Sequence, residues 1–360
     1  MALLSVRFFR PTQSITRRIQ SNRPPRGPIF LLLLGMLAPL PGCNGASKSA
    51  PELHEAALPM VYMAPLYLAV DRGMFRNEGL DLDILQLASG QLGVPALISK
   101  DVQFADIGIL DVVKAQAQGK KPILIYNLVN RMTMDFVVRK DWAKSHGLDP
   151  AFPLQQRLAN LKGMRIGITR PGSPGDLYTR YFAILGGLDP QHDIDLVSIG
   201  DPSLLLSALR AARIDGYMLS PPTPGIAVSQ GFGEILIKSS AGDVPQLADH
   251  VYVAIAVDSD WAKVHPDIVK RYCSALGASV AYARGHRQEA LNALRRHLPG
   301  TNTDVLQASL DEVLQFMPTD GKFNEKEVNN TLQVLSRVSP LAAGASSAEG
   351  ILWTNEYNTK

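Results

Sequence analysis

The stretch VYMAPLYLAVDRGMFRNEGLDL, residues 61–82, restricts the fold of this chain more than any other. Its periodicities predict a strand, a tight turn, a helix, a helix stop and a second strand. Val61 to Met63 closes a short apolar run. Pro65 suits the first helical position, where its missing N–H costs nothing. Leu66, Ala69, Val70, Gly73 and Met74 recur at helical spacing, so one helix with one buried face is expected. Gly79 fits a left-handed helix stop, and Leu80 beyond it can supply the hydrophobic contact of that cap. Leu80, Leu82 and Ile84 then alternate with Asp81 and Asp83, which is strand periodicity. Read by pattern alone, this is a βαβ unit.

With 360 residues the chain can form two domains. A hydrophobic content of 46% with 19% charged residues describes a globular protein. The charge is unevenly placed. Residues 1–43 hold six arginines and no acid, so removing them takes the formal net charge from +3 to −3. The remainder has no basic excess to support nucleic-acid binding. Ile29 to Leu40 is an apolar run of twelve residues, too short to span a bilayer comfortably. It follows the arginine-rich segment and precedes small residues, the layout of a secretory signal. The run ends in Leu40-Pro41-Gly42-Cys43, which resembles a bacterial lipobox. Residues 1–43 are therefore expected to be a lipoprotein signal with Cys43 as the lipidated residue, and residues 44–51 a flexible tether. A plain signal peptide with an incidental Cys43 is the alternative. Cys273 would then be the single cysteine of the mature chain, without a disulfide partner, and its helical spacing with Val269, Leu276 and Val280 marks it as core.

The pattern of the opening unit restarts further on. Leu161 to Ile168 leads into the small-residue turn Arg170-Pro171-Gly172-Ser173-Pro174-Gly175, and a helix follows from Asp176 to Leu185. Both halves contain a short strand with an aspartate, SKDVQFADIG (99–108) and RIDGY (213–217). His250 to Trp261 reads as a strand that returns to the first half. Pro266–Arg284, Thr303–Phe316 and Asn324–Val338 each carry a helical apolar stripe, and Trp353 is expected to pack on the body. The pattern predicts two interleaved α/β lobes: residues 52–133 plus 250–360 as lobe I, and 134–249 as lobe II, each built on a mostly parallel sheet.

Pro65, Tyr67, Ala69, Gly73, Phe75, Glu78, Gly79 and Leu80 resemble the opening pattern of the nitrate/sulfonate/taurine-type substrate-binding proteins of ABC transporters, a family that also includes binders of thiamine-pyrimidine precursors. The region 96–107 is similar to that family's "A-L-x-S-G-x-x-D", with Lys100 in place of the usual Gly and room for an extra residue before the Asp. LKGMRIGI (161–168) and Arg213 to Tyr217 resemble its later motifs. The resemblance spans nearly all of residues 58–340. It implies a two-lobed periplasmic-binding-protein type II fold, a small-molecule ligand (a sulfonate, a nitrate-like anion or a heterocyclic metabolite), and permease and ATPase partners. It implies no cofactor or metal. An enzyme of the same fold acting on a pyrimidine-type metabolite, or a periplasmic sensor module, are the competing readings; the former is reached through a cysteine-rich signature that this chain lacks.

No phosphate-binding loop, HExxH, paired CxxC or GxGxxG occurs. Pro171 breaks the G-x-S-x-G pattern that Ser173 would need as a nucleophile. Ligands of open α/β sheets bind beyond the carboxyl ends of the strands. In a two-lobed chain this selects Tyr62, Met63, Ala64 and Pro65, then Gln91, then Ile109 on lobe I. On lobe II it selects Gly172, Ser173, Ser220 and Pro221. Arg131 at the first crossing can reach the cleft or serve as a hinge residue, and Tyr252 at the second can stack on a ligand or simply pack. The helix expected after Ser173 would point N–H groups into the cleft, but Pro174 lacks one and Asp176 places a negative charge in its first turn. A ligand neutral or zwitterionic at this end, hydrogen-bonded by Ser173, is therefore expected.

Overall fold

The computed structural model describes residues 51–88 and 90–358. The signal and lipidation readings at residues 1–43, including Cys43, lie outside the described residues.

Ten strands, in chain order, build two five-stranded sheets. They are β1 (Glu52–Ala57), β2 (Asp81–Gln86), β3 (Phe104–Ile107), β4 (Pro122–Val129), β5 (Asp135–Arg139), β6 (Arg165–Ile168), β7 (Asp195–Ser198), β8 (Gly216–Leu219), β9 (Gly233–Ile237) and β10 (Val253–Asp258). The first sheet has the order β2-β1-β3-β10-β4 and the second β7-β6-β8-β5-β9. The two orders are the same once β10 is set against β5. In each sheet the strand that follows a crossing from the other lobe is inserted antiparallel to both its neighbours: β10 against β3 and β4, β5 against β8 and β9. The sheets are therefore mixed: four strands of each run the same way, as expected, and the inserted strand runs against them. Hydrophobic alternation reports which face of a strand is buried but carries no information on strand direction.

The opening unit departs from its pattern in two places. Its first strand is β1, and Val61–Met63 is a single tight helical turn instead of a strand end. The helix predicted through Met74 stops at Asp71, Gly73 turns left-handed at φ +66°, and a second short helix, Met74–Asn77, follows. The break brings Phe75 into the core, stacked on Tyr272 with ring centroids 5.3 Å apart. The helix Ala64–Asp71 is buried almost all round, because the helices Pro266–Gly285 and Arg287–His297 both pack on it. Arg287–His297 was not expected from the sequence; its four basic residues obscure the apolar stripe of Ala290, Leu291 and Leu294. Gly79 does turn left-handed, at φ +70°, and β2 pairs in parallel with β1 along its whole length. Trp353 is buried and pairs with Leu124 at the edge of the first sheet.

Candidate functional site

The carboxyl ends of β1, β3, β6 and β8 converge on one cavity of about 100 Å³. Lobe I contributes Leu58 and Met60 after β1, Tyr62 from the turn, and Asp106 to Asp111 from β3 into the helix Ile109–Ala117. Lobe II contributes Thr169, the loop at Gly172 and Ser173, Leu177 and Tyr178 of the helix Pro174–Leu185, and Met218 to Ser220 at the end of β8. Val251 to Val253, entering β10, close it from the second crossing. Most of these side chains are apolar, so each polar group among them counts.

The deepest polar group is Asp106, only 2% exposed. The Leu58 N–H donates to its Oδ1 at 3.2 Å and the Tyr62 hydroxyl to its Oδ2 at 3.4 Å. Burial pushes its pKa up to about 8, only partly offset by these two donors. Asp111 is pushed up to about 6 by burial, with Lys114 pulling the other way from 3.9 Å. The rings of Tyr62 and Tyr252 meet edge to face, with centroids 6.1 Å apart. The Tyr252 and Ser220 hydroxyls share a hydrogen bond across the lobes. Tyr178 bonds His250 Nε2 at 2.5 Å, and burial holds the His250 imidazole neutral by lowering its pKa to about 3.

The entrance to the helix Pro174–Leu185 is largely self-satisfied. Ser173 is its N-cap, accepting the Asp176 N–H at 3.4 Å. Asp176 in turn accepts the Gly172 N–H at 2.6 Å and is bound by Arg180 Nε at 2.6 Å. The acid that the sequence set in the first turn is thus turned into the lobe and paired.

Of the residues selected from the sequence, Tyr62, Ile109, Gly172, Ser173, Ser220 and Tyr252 line the cavity. Met63, Ala64 and Pro65 do not: they begin a helix whose start is buried in lobe I, and the Pro65 carbonyl accepts a bond from Ser279. Gln91 is absent from the lining; its Nε2 donates to the Pro171 carbonyl across the cleft at 3.1 Å. Pro221 likewise offers its carbonyl to the Val61 N–H at 3.4 Å. Arg131 lies over the Phe316 ring, 4.6 Å from its centroid, away from the lining. Asp106, Asp111, Tyr178 and Met218 were missed. The signal for Asp106 was available: a carboxylate inside the apolar strand FADI, immediately before Gly108.

Two α/β lobes of matching topology, joined by two crossings, with a cavity at the carboxyl ends of both sheets, define a periplasmic-binding-protein fold. The comparisons agree with that class. Residues 47–294 match the model of the NMT1-like family, and the chain belongs to that family. It is 23% identical to the putative binding protein YtlA of Bacillus subtilis over 274 residues, 74% of this chain and 77% of that one. It is 23% identical to the nitrate/nitrite binding protein NrtA of Synechocystis sp. over 243 residues, 64% of this chain, and spans only 53% of NrtA's length. The crystal structure of the periplasmic aliphatic sulphonate binding protein SsuA from Escherichia coli superposes with a TM-score of 0.64 at 16% identity, covering 85% of this chain and 98% of that one. At that identity the likeness is one of fold.

Proposed function

We propose that this chain is the extracytoplasmic solute-binding component of an ABC importer, tethered to a bacterial membrane through lipid on Cys43. One observation carries the reading: residues of both lobes and of the second crossing line one cavity, so a ligand held there would touch both lobes at once. Bonds from Gln91 to Pro171, Lys114 to Gly172 and Val61 to Pro221 bridge the two lobes. Hydrogen bonds of this kind can break and re-form, so the lobes can part and close in an equilibrium that a ligand can shift. Delivery to a permease and its ATPase follows from the same reading, and the nitrate/nitrite binding of NrtA and the sulphonate binding of SsuA support it by likeness.

The test is uptake in cells that carry the chain with its neighbouring transport genes, alongside small-angle scattering of the mature protein. Deleting the chain should abolish uptake of its solute, and that solute should make the purified protein more compact. Unchanged uptake after deletion would overturn the transport reading. For the anchor, Cys43→Ser should release the protein from the membrane fraction; a variant that stays membrane-bound and is cleaved before residue 43 would overturn lipidation there.

A further inference from the structure

We propose that the cavity selects a compact ligand bearing a protonatable nitrogen, an amine or amidine on an apolar or aromatic body, and turns away oxyanions. The proposal rests on the solute-binding reading and names the ligand chemistry of that site.

The ionisable groups of the lining, besides its tyrosines, are all carboxyls. Asp106 is buried on the cavity wall, and each of its oxygens takes one donor from the protein, at 3.2 and 3.4 Å. A carboxylate has about four acceptor sites, so room remains on it for donors of the ligand. Asp111 adds a second carboxyl to the same wall. Among the described residues no Lys, Arg or His lines the cavity. The nearby cations are already paired: Lys114 donates to the Gly172 carbonyl at 3.2 Å and lies 3.9 Å from Asp111, and Arg180 holds Asp176.

At the helix Pro174–Leu185 the seats that an oxyanion would use are filled. Two helices start at the cavity, Ile109–Ala117 and Pro174–Leu185, and each carries its own acid in the first turn, Asp111 and Asp176. A helix N-terminus attracts an anion through free N–H groups and the macrodipole. Here the Gly172 N–H goes to Asp176 and the Asp176 N–H to Ser173. An incoming sulfonate or nitrate would find no countercharge on the lining and would face the carboxyls of Asp106 and Asp111 on a mostly apolar wall. Burying an unpaired charge in such a place is strongly unfavourable. A cation would instead pair with Asp106, its body against the edge-to-face Tyr62 and Tyr252 rings. A volume of about 100 Å³ admits a small body of this type.

The groups facing Asp106 are Glu55 of β1, Tyr62 of the turn, Tyr67 of the helix Ala64–Asp71, and Tyr252 at the second crossing. None is a cation, so binding a cationic ligand near neutral pH should ionise Asp106 and release its proton.

Calorimetry on the mature full chain tests this with benzylamine, benzamidine, nitrate, bicarbonate and ethanesulfonate as probes, repeated in buffers of different ionisation enthalpy. The nitrogen probes should bind, with release of close to one proton at pH 7, and the three anions should not bind at millimolar concentration. Asp106→Asn, nearly isosteric, should weaken the nitrogen probes at least tenfold and remove the proton release, while Asp111→Asn should weaken them less. Binding of a sulfonate or nitrate by the unaltered protein, with no binding of the amines, would overturn the charge selectivity and leave the solute-binding reading intact. Amine binding unchanged by Asp106→Asn would overturn the assigned role of that carboxylate. No binding by any probe, with transport of a solute still dependent on the chain, would overturn the proposal alone; loss of that dependence would overturn the underlying reading.

Discussion

The two lobes share one strand order, yet they set their buried acids at different points of it and use them in opposite ways. In lobe II, Asp215 stands just before β8 and accepts the Arg165 N–H at 3.1 Å. In lobe I the same bond to the neighbouring parallel strand is made by Gln103, which accepts the His54 N–H at 2.9 Å. Three residues further along, lobe II places Met218 on the cavity wall and lobe I places Asp106. No extra residue therefore precedes an aspartate in lobe I: the position of the family's Asp is held by Gln103, and Asp106 is a separate feature. Asp215 is buried too, which raises its pKa, but the hydrogen bonds from Arg165 and the charge of Arg139 outweigh burial and hold it below the usual carboxylate range. Asp106 has no such cation and is pushed up to about 8. A buried carboxyl at a strand end is a structural ion pair in one lobe and a cavity wall in the other; the neighbouring guanidinium decides which.

The sharpest way to probe this difference is pH. Glu55 lies beside Asp106 in lobe I, bonded to the Tyr272 hydroxyl at 2.7 Å, with its Oε1 unpartnered, and burial pushes it up to about 8. An acid whose folded pKa is raised contributes stability that is fully present below its unfolded value and is lost as pH rises through the folded value. The mature domain should therefore lose stability between about pH 4.5 and pH 8, by a few kcal/mol from Glu55 alone. Glu55→Gln should flatten that decline in urea titrations run across the range. Asp215, with its lowered pKa, runs the other way: its contribution is present above the usual carboxylate range and is lost as pH falls below about 4. A Glu55→Gln variant with the same pH slope as the parent would break the comparison.

Next in size is the ion pair itself. Asp215→Ala strands two guanidiniums and a backbone donor and should cost roughly 2–4 kcal/mol. Gln103→Ala, its counterpart, removes one neutral hydrogen bond and should cost about 1 kcal/mol. Equal losses in denaturant midpoints would mean that the Arg139 and Arg165 pairs contribute little.

The smallest effect concerns the turn that enters these strands. Lys100 at φ +65° and Ala212 at φ +56° are the described non-glycine residues with positive φ, and they occupy matching places before β3 and β8. The lobe II glycine position of the family pattern is thus Ala212, one residue before the Arg213 that the sequence suggested. A side chain in the left-handed region costs about 1 kcal/mol, less the extra chain entropy of glycine. Ala212→Gly should stabilise by about 0.5 kcal/mol, and Lys100→Gly by a similar amount, seen as a small rise in Tm. A loss at either site would show that its Cβ makes a contact worth more than the strain.

Periodicity and turn chemistry made much of the fold legible. The stop at Gly79, the alternation of β2, the restart at residue 161 and the paired strand–turn–helix units are local signals, and each reports which face of an element leaves water. They led to the cavity at Tyr62, Ile109, Gly172, Ser173, Ser220 and Tyr252, because the carboxyl ends of strands can be found from strand order alone. The tertiary structure decided the rest. It buried Met63, Ala64 and Pro65 under two further helices, took Arg131 onto Phe316, and inserted β5 and β10 antiparallel after each crossing. It also decided the state of the acids. Nothing local distinguishes Asp106 from Asp215. Their opposite pKa shifts come from residues far away in the chain, since desolvation and the presence of a guanidinium within reach are properties of packing and not of sequence neighbours.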